Sequence, residues 1–203
     1  AKNMLQFCSS QIPYENIVKT IENINDKDLD LAINNLRIAE EYNISELESE
    51  IAIRKDDIAR LLIDSLLHNV NTMEFRDAEE LTTKAYSLSP ENLFVKNIHS
   101  QLYLKKADIL VKNGDYSSAI KSLDWAVSIY PGNIQFYNNK IMQISILMMD
   151  EVNESFNDGS YIVAINLLEK ISEINPDLNS KTSKAIANLK QKLQDKETKH
   201  VNK

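Results

Sequence analysis

A three-part motif, made of an aromatic residue, an alanine and a proline, recurs at fixed spacing along this chain. In each copy the alanine follows the aromatic residue by three positions, and the proline follows the alanine by twelve. The copies start at Phe75, Tyr116 and Tyr161 and end at Pro90, Pro131 and Pro176. A fainter copy upstream keeps its alanine at Ala32 but has Ile44 in place of the proline. Such recurrence indicates a repeated structural unit, and it constrains the fold more than any other feature.

Each copy of the motif predicts the second helix of an antiparallel helical hairpin. In the central copy, Tyr116, Ala119 and Leu123 recur at the spacing of one helix face. Gly114 is expected to close the preceding helix, because glycine adopts the left-handed conformation of a helix C-terminus without steric cost. Pro131 is expected to end the second helix. Alanine recurs where a larger side chain would hold two helix backbones apart.

Glycine is scarce, with three in the whole chain, and two of them, Gly114 and Gly159, stand just before copies of the motif. A β-rich protein needs glycine at many tight turns, so the scarcity favours long helices joined by few connections. The prolines of the motif are 41 and 45 residues apart, and residues 91–113 and 134–157 contain neither glycine nor proline. The first helix of each hairpin is therefore predicted to be long.

The repeat predicts an all-α fold in a single domain that covers residues 1–203. The predicted hairpins span residues 14–44, 45–90, 91–131 and 132–176, and a C-terminal capping helix spans 177–198. A capping box formed by Ser45 and Glu48 is expected to open the second hairpin. The last helix has an apolar side made of Leu178, Ala185, Leu189 and Leu193. A terminal helix with a polar outer face is typical of repeat arrays, where it covers the core of the final repeat.

The motif resembles the second half of the tetratricopeptide repeat (TPR), in which A-x3-F is followed by P. The matching residues are Ala119-x3-Leu123 with Pro131, and Ala164-x3-Leu168 with Pro176. The first half of the family pattern is matched less well around Tyr103, and the spacing of 41 and 45 exceeds the family period of 34. The resemblance covers residues 14–198. It implies a right-handed superhelical array of antiparallel helix hairpins, an α-solenoid.

The resemblance also implies a binding surface. In the family, the first helices of successive repeats line a concave groove that takes extended peptides or helices. The matching positions here are Arg60, Ile63, Leu67, Gln101, Leu104, Asp108, Val111, Ile146, Met149, Asn153 and Phe156. Because this set is largely apolar, the expected ligand is a hydrophobic segment or amphipathic helix of another protein, with Leu104, Met149 and Phe156 as anchors. The open alternative is that the same stripe is buried between the lengthened helices.

The composition opposes several other functions. A net charge of −7 opposes a nucleic-acid ligand, because contacts to phosphates need lysine and arginine. The three histidines have no partner at metal-ligand spacing, and no glycine-rich phosphate loop is present, so neither a metal nor a cofactor is expected. Acidic pairs such as Asp56 and Asp57 point to different faces of a helix, whereas catalytic carboxylates must converge on one pocket. The chain is therefore predicted not to be an enzyme.

Non-catalytic protein binding, as a scaffold or adaptor, is the predicted function. No run of apolar residues is long enough to span a membrane. The single cysteine, Cys8, cannot form an internal disulfide, which fits a reducing compartment. The location is left open: the cytoplasm is slightly favoured, and a removed signal or anchor is the alternative. Two alternatives stay open: a self-assembly module that forms a homo-oligomer, and a peptide-sensing regulatory domain of a larger protein.

Overall fold

The computed structural model describes residues 2–69 and 72–201, and describes side chains over residues 11–69 and 72–195. Within these ranges the chain is helical and forms no strand, so the all-α prediction is confirmed. The helices are α1 (Lys2–Asn25), α2 (Leu29–Glu41), α3 (Glu48–Asn69), α4 (Phe75–Leu88), α5 (Leu93–Lys112), α6 (Tyr116–Ile129), α7 (Ile134–Asn157), α8 (Tyr161–Ile174) and α9 (Asn179–Val201). Short 3-10 turns, Ser45–Leu47, Pro131–Asn133 and Pro176–Leu178, precede α3, α7 and α9.

Helix lengths alternate along the chain. Helices α3, α5 and α7 have 22, 20 and 24 residues, whereas α4, α6 and α8 have 14 residues each. The long helices occupy the stretches without internal glycine or proline, and each short helix begins at the aromatic residue of the motif. The predicted lengthening of the first helix in each hairpin is thus confirmed.

Two glycines end long helices in the left-handed conformation, as expected. Gly114 has φ +75° and Gly159 has φ +74°. After α5, the backbone N–H of Asp115 donates to the carbonyl of Leu110 at 2.9 Å, and that of Gly114 donates to Val111 at 3.0 Å. These two bonds form a Schellman motif, which satisfies carbonyl groups that the end of a helix leaves without partners.

The same turn precedes α2 without a glycine. Lys27 takes the left-handed conformation, with φ 61°, and the N–H of Asp28 donates to the carbonyl of Asn23 at 2.9 Å. The Asp28 carboxylate then caps α2 by accepting from the N–H of Leu31 at 3.1 Å. The fainter upstream copy of the motif therefore forms a hairpin of the same kind, although a lysine in this conformation costs about 1–2 kcal/mol.

The first hairpin begins earlier than predicted. Helix α1 starts at Lys2 and continues through Pro13, whereas the sequence pattern placed the start of the hairpin at residue 14. Proline suits the first turn of a helix, but Pro13 lies in the interior of α1. An interior proline removes one N–H donor, and α1 continues through that position. The side chain of Cys8, on this early part of α1, lies outside the described side chains.

The capping box predicted at Ser45 does not form. The turn Ser45–Leu47 is a 3-10 helix whose N-cap residue is Ile44, and no side chain caps it. The hydroxyl of Ser45 donates instead to the carboxylate of Glu46 at 3.0 Å. Helix α3 therefore starts at Glu48. In the predicted capping box, Glu48 would instead have been the third residue of the helix.

The chain divides into two compact units. The first extends to Lys105 and includes Ser128–Tyr130, and the second comprises Lys106–Val127 and the chain from Pro131 onward. In the first unit, α1 packs against α2, α2 against α3, and α3 against α4. In the second unit, α7 packs against α8, and α8 packs against α9. Each unit thus consists of helices packed against their neighbours in sequence.

The alanines of the motif lie in this packing. Ala32, Ala119 and Ala164 are completely buried. Among the apolar residues predicted for the last helix, Leu189 is buried, and Leu178, Ala185 and Leu193 are half-buried. Because α9 packs on α8 through this side, the terminal helix does cover the apolar surface of the preceding hairpin.

Candidate functional site

The residues predicted to line a groove fall into both compact units. In the first unit, α3 carries Arg60, Ile63 and Leu67, and α5 carries Gln101 and Leu104. In the second unit, the end of α5 carries Asp108 and Val111, and α7 carries Ile146, Met149, Asn153 and Phe156.

Two of the predicted groove residues in the first unit are buried. Ile63 is 0% exposed and Leu104 is 6% exposed, so neither can contact a partner, and Leu104 cannot be an anchor. Helix α3 contacts α1, α2 and α4, and a helix with neighbours on several sides buries a broad arc rather than a narrow stripe. Spacing along one helix did not predict the width of this arc.

The other predicted residues of this unit are accessible. Leu67 and Gln101 are exposed. Arg60 is also exposed, but its Nε lies 2.9 Å from the carboxylate of Asp56, one turn earlier on α3. Arg60 is therefore engaged in an ion pair within its own helix.

Asp56 joins α3 to the turn between α4 and α5. Its carboxylate accepts from the hydroxyl of Ser89 at 2.8 Å and from the side-chain amide of Asn92. Burial alone would raise the pKa of Asp56, but the bonds from Asn92 and Ser89 and the charge of Arg60 outweigh it and hold the pKa below its usual value. Asp56 is thus an ionised structural group.

His99 on α5 lies in the core of the first unit. It is 3% exposed, its ring stacks on Tyr86 with centroids 5.0 Å apart, and Tyr103 contacts it edge-on at 5.2 Å. Its Nδ1 has no hydrogen-bond partner. Burial lowers the pKa of His99, while the negative charge of Glu79 opposes this shift. A neutral histidine therefore fills this space between two tyrosines.

The burial of His99 predicts a pH dependence. Because its pKa is lower in the folded state than the unfolded value of about 6.5, the unfolded chain binds the proton first as the pH falls. The stability that neutral His99 contributes is therefore fully present above about pH 6.5, and it is lost as the pH falls through the pKa of His99 in the folded state. We expect the thermal midpoint to drop more for the wild type than for His99→Phe between about pH 7.5 and about pH 5.5. Equal drops, measured by circular dichroism, would contradict this role of His99.

The second unit has a largely apolar stripe on α7 that is interrupted by one polar residue, Asn153. Its residues follow the spacing i, i+4, i+7, i+11, i+14, which places them on one helix face: Met142, Ile146, Met149, Asn153 and Phe156. Met142 is 43% exposed, Ile146 56% and Phe156 37%, while Met149 is half-buried. We call these five residues the α7 stripe. Met142 was not among the predicted residues, although the same spacing could have found it.

Neighbouring side chains border the α7 stripe near Phe156. The Nζ of Lys192 on α9 lies 4.3 Å from the centroid of the Phe156 ring, and the ring of Tyr161 lies 5.9 Å from it. A cation over an aromatic face is an attractive contact worth about 0.5–1 kcal/mol at an exposed site. Lys192 was not found by sequence reasoning, because the two residues are far apart in the chain.

The remaining predicted residues of the second unit are less available. The Oδ1 of Asp108 lies 2.6 Å from the Nζ of Lys140 on α7, so this pair links α5 to α7. Val111 is half-buried. Asn153 is exposed in the middle of the α7 stripe. The accessible part of the predicted surface in this unit is therefore the α7 stripe itself.

The described residues carry neither a metal-binding cluster nor a membrane-spanning helix. No group of three or more histidine, cysteine, aspartate or glutamate side chains is arranged to hold a metal ion there. Among the described helices, none combines the length and the apolar character needed to cross a bilayer. A scan against protein-family models finds no match, and a search of curated proteins finds no significant relative.

Proposed function

We propose that this chain is a non-catalytic protein-binding scaffold of the tetratricopeptide-repeat type, whose long first helices present apolar faces to a peptide or helix of a partner. The observation that carries the proposal is the α7 stripe, in which Met142, Ile146 and Phe156 stay exposed on one face of a long helix. Contiguous exposed apolar surface on a soluble protein marks an interaction site more often than an isolated exposed residue does.

The dimensions of the α7 stripe favour a peptide over a small molecule. From Met142 to Phe156 the stripe extends for about 21 Å at 1.5 Å per residue. A partner helix of about four turns would cover it, with anchors spaced as in other helix-in-groove complexes. Methionine at two positions suits such a surface, because its flexible thioether adapts to partners of different shape.

Self-assembly is the second candidate, because the same stripe could be covered by another copy of the chain. The two candidates predict different masses. A partner-binding scaffold stays monomeric over a hundredfold range of concentration, whereas a self-assembling chain becomes heavier, as measured by light scattering. In the second case Ile146→Asp is expected to restore the monomer while leaving the helix content unchanged, since Ile146 is more than half exposed.

Photo-crosslinking tests the proposal directly. A photoreactive amino acid at Ile146 is expected to capture a specific protein in extracts of the source cells. The same group at Glu173, which is exposed on α8, is the matched control and is expected not to capture that protein. A crosslinked dimer of the chain would support self-assembly instead. Equal labelling at both positions would contradict a binding role for the α7 stripe.

A further inference from the structure

Helix α9 is basic in a chain that is acidic overall. The chain has a net charge of −7, yet α9 contains six lysines and only two acidic residues. Four of these lysines, Lys181, Lys184, Lys190 and Lys192, have described side chains, and all four are exposed. A local excess of positive charge this large creates a field that favours negatively charged ligands.

The basic helix runs alongside the α7 stripe. At one end, the side chain of Asn175, which precedes the turn into α9, donates to the hydroxyl of Ser145 at 3.3 Å and contacts the sulfur of Met142 at 3.8 Å. At the other end, Lys192 lies over Phe156. The start of α9 is thus close to the start of the stripe, and Lys192 is close to its end.

Three of the lysines share one side of α9. Lys181, Lys184 and Lys192 are related by i, i+3 and i+11, which keeps them on the side that Lys192 presents to Phe156. Lys190 points elsewhere, since its Nζ lies 3.8 Å from the carboxylate of Glu169 on α8. Lys181 and Lys184 therefore share with Lys192 the side of α9 that borders the α7 stripe at Phe156.

The other border of the α7 stripe is acidic. Asp150 and Glu154 are exposed on α7, one turn apart, at positions rotated away from Phe156. Burial raises the pKa of Tyr116 at the start of α6, and the carboxylates of Glu151 and Asp150 raise it further. An apolar stripe with a basic border on one side and an acidic border on the other can select a bound helix in two ways. The stripe selects its apolar anchors, and the two borders select its orientation.

We infer that the α7 stripe binds an amphipathic helix whose flank facing α9 is acidic. This inference rests on the proposed protein-binding function and names the chemistry of the partner. The apolar face of the bound helix covers Met142, Ile146, Met149 and Phe156, while its carboxylates face Lys181, Lys184 and Lys192. Electrostatic complementarity of this kind selects the partner and speeds association more than it adds affinity.

A lipid surface of anionic headgroups is a poorer fit to the same residues. A flat anionic surface that covered the α7 stripe and contacted Lys181 and Lys184 on one side of it would also face Asp150 and Glu154 on the other side. Like charges placed opposite each other are unfavourable, and the repulsion is strongest at low salt. A helix avoids this repulsion because it can present acidic residues on one flank only.

The test uses the full chain and three labelled synthetic peptides as probes, measured by fluorescence anisotropy. The peptides are helices of about 18 residues with the same leucine face, and they carry glutamate, glutamine or lysine on the flanking positions. The glutamate peptide is expected to bind most tightly and the lysine peptide least tightly. Affinity for the glutamate peptide is expected to fall as salt is added.

Two sets of matched variants locate the effect. The combined change Lys181→Gln, Lys184→Gln and Lys192→Gln is expected to weaken binding of the glutamate peptide about tenfold, as three partly exposed charge pairs would. The control change Lys112→Gln, Lys121→Gln and Lys190→Gln removes the same charge from outside this border and is expected to alter the affinity by less than about twofold.

The outcomes separate the inference from the proposed function. Equal binding of all three peptides, lost in Ile146→Asp, would overturn the acidic partner and leave protein binding by the α7 stripe in place. No binding of any peptide, together with equal crosslinking from positions 146 and 173, would contradict both. A third outcome is that the chain binds anionic phospholipid vesicles through Lys181, Lys184 and Lys192 but does not bind the glutamate peptide. The ligand of these lysines would then be a membrane surface and not a helix, which would overturn the inference.

Discussion

Ile63→Ala is expected to lower the free energy of unfolding by about 3 kcal/mol, whereas Leu67→Ala is expected to change it by less than about 0.5 kcal/mol. The two residues lie one helical turn apart on α3 and were predicted to share one surface, but Ile63 is 0% exposed and Leu67 is 43% exposed. Truncation of Ile63 leaves a cavity among packed side chains, while truncation of Leu67 exposes little that was covered.

Urea denaturation followed by circular dichroism measures both effects as shifts of the midpoint at constant slope. The chain has two compact units, so its unfolding can show more than one transition. The urea midpoint to compare between the two variants is that of the transition that Ile63→Ala shifts. A loss for Leu67→Ala as large as that for Ile63→Ala would mean that Leu67 is covered in solution. It would then no longer be a candidate contact residue.

Ala164→Leu is expected to destabilise the protein by about 2 kcal/mol, because Ala164 is completely buried where α8 packs and the extra carbon atoms have no space. For a chain of this size the thermal midpoint should fall by roughly 4–8 °C. Asn166→Leu, two residues further along α8, is the matched control. Asn166 is exposed and leucine is the better helix former, so the control should be neutral or slightly stabilising.

This experiment also tests the meaning of the repeated motif. If alanine recurs because two helix backbones approach closely, a larger side chain at Ala164 must separate them. A midpoint for Ala164→Leu equal to that of the control would show that the site tolerates the added volume. The recurrence of alanine would then need a different explanation.

Features set by neighbours in the chain could be predicted from the sequence. Gly114 and Gly159 end helices because their backbone conformation is open to glycine at no cost, a property of the residue itself. The short helices begin at the motif aromatics, and long helices fill the stretches without glycine or proline. Local prediction failed at Ser45, where a 3-10 turn replaced the capping box. The sequence analysis made no prediction for Lys27, a lysine that adopts the conformation that glycine takes elsewhere.

Which apolar residues are buried depended on neighbours in space. Ile63 and Leu67 lie one turn apart on α3, yet Ile63 is buried, because α3 packs against α1, α2 and α4, while Leu67 is exposed. Leu104, another residue of the predicted groove, is buried as well. On α7, the same kind of pattern stays exposed at Ile146. Helical periodicity defines a face, but the number of helices around it determines how much of that face is accessible.

The sequence by itself determined the all-α class, the alternation of long and short helices and the glycine turns, because these follow from backbone preferences and from contacts a few residues apart. Only the tertiary structure decided the position of Lys192 over Phe156, the enclosure of His99 by Tyr86 and Tyr103, and the division between core and exposed stripe. These pairs form when separate segments of the chain pack together, and no spacing along the chain records which segments will meet.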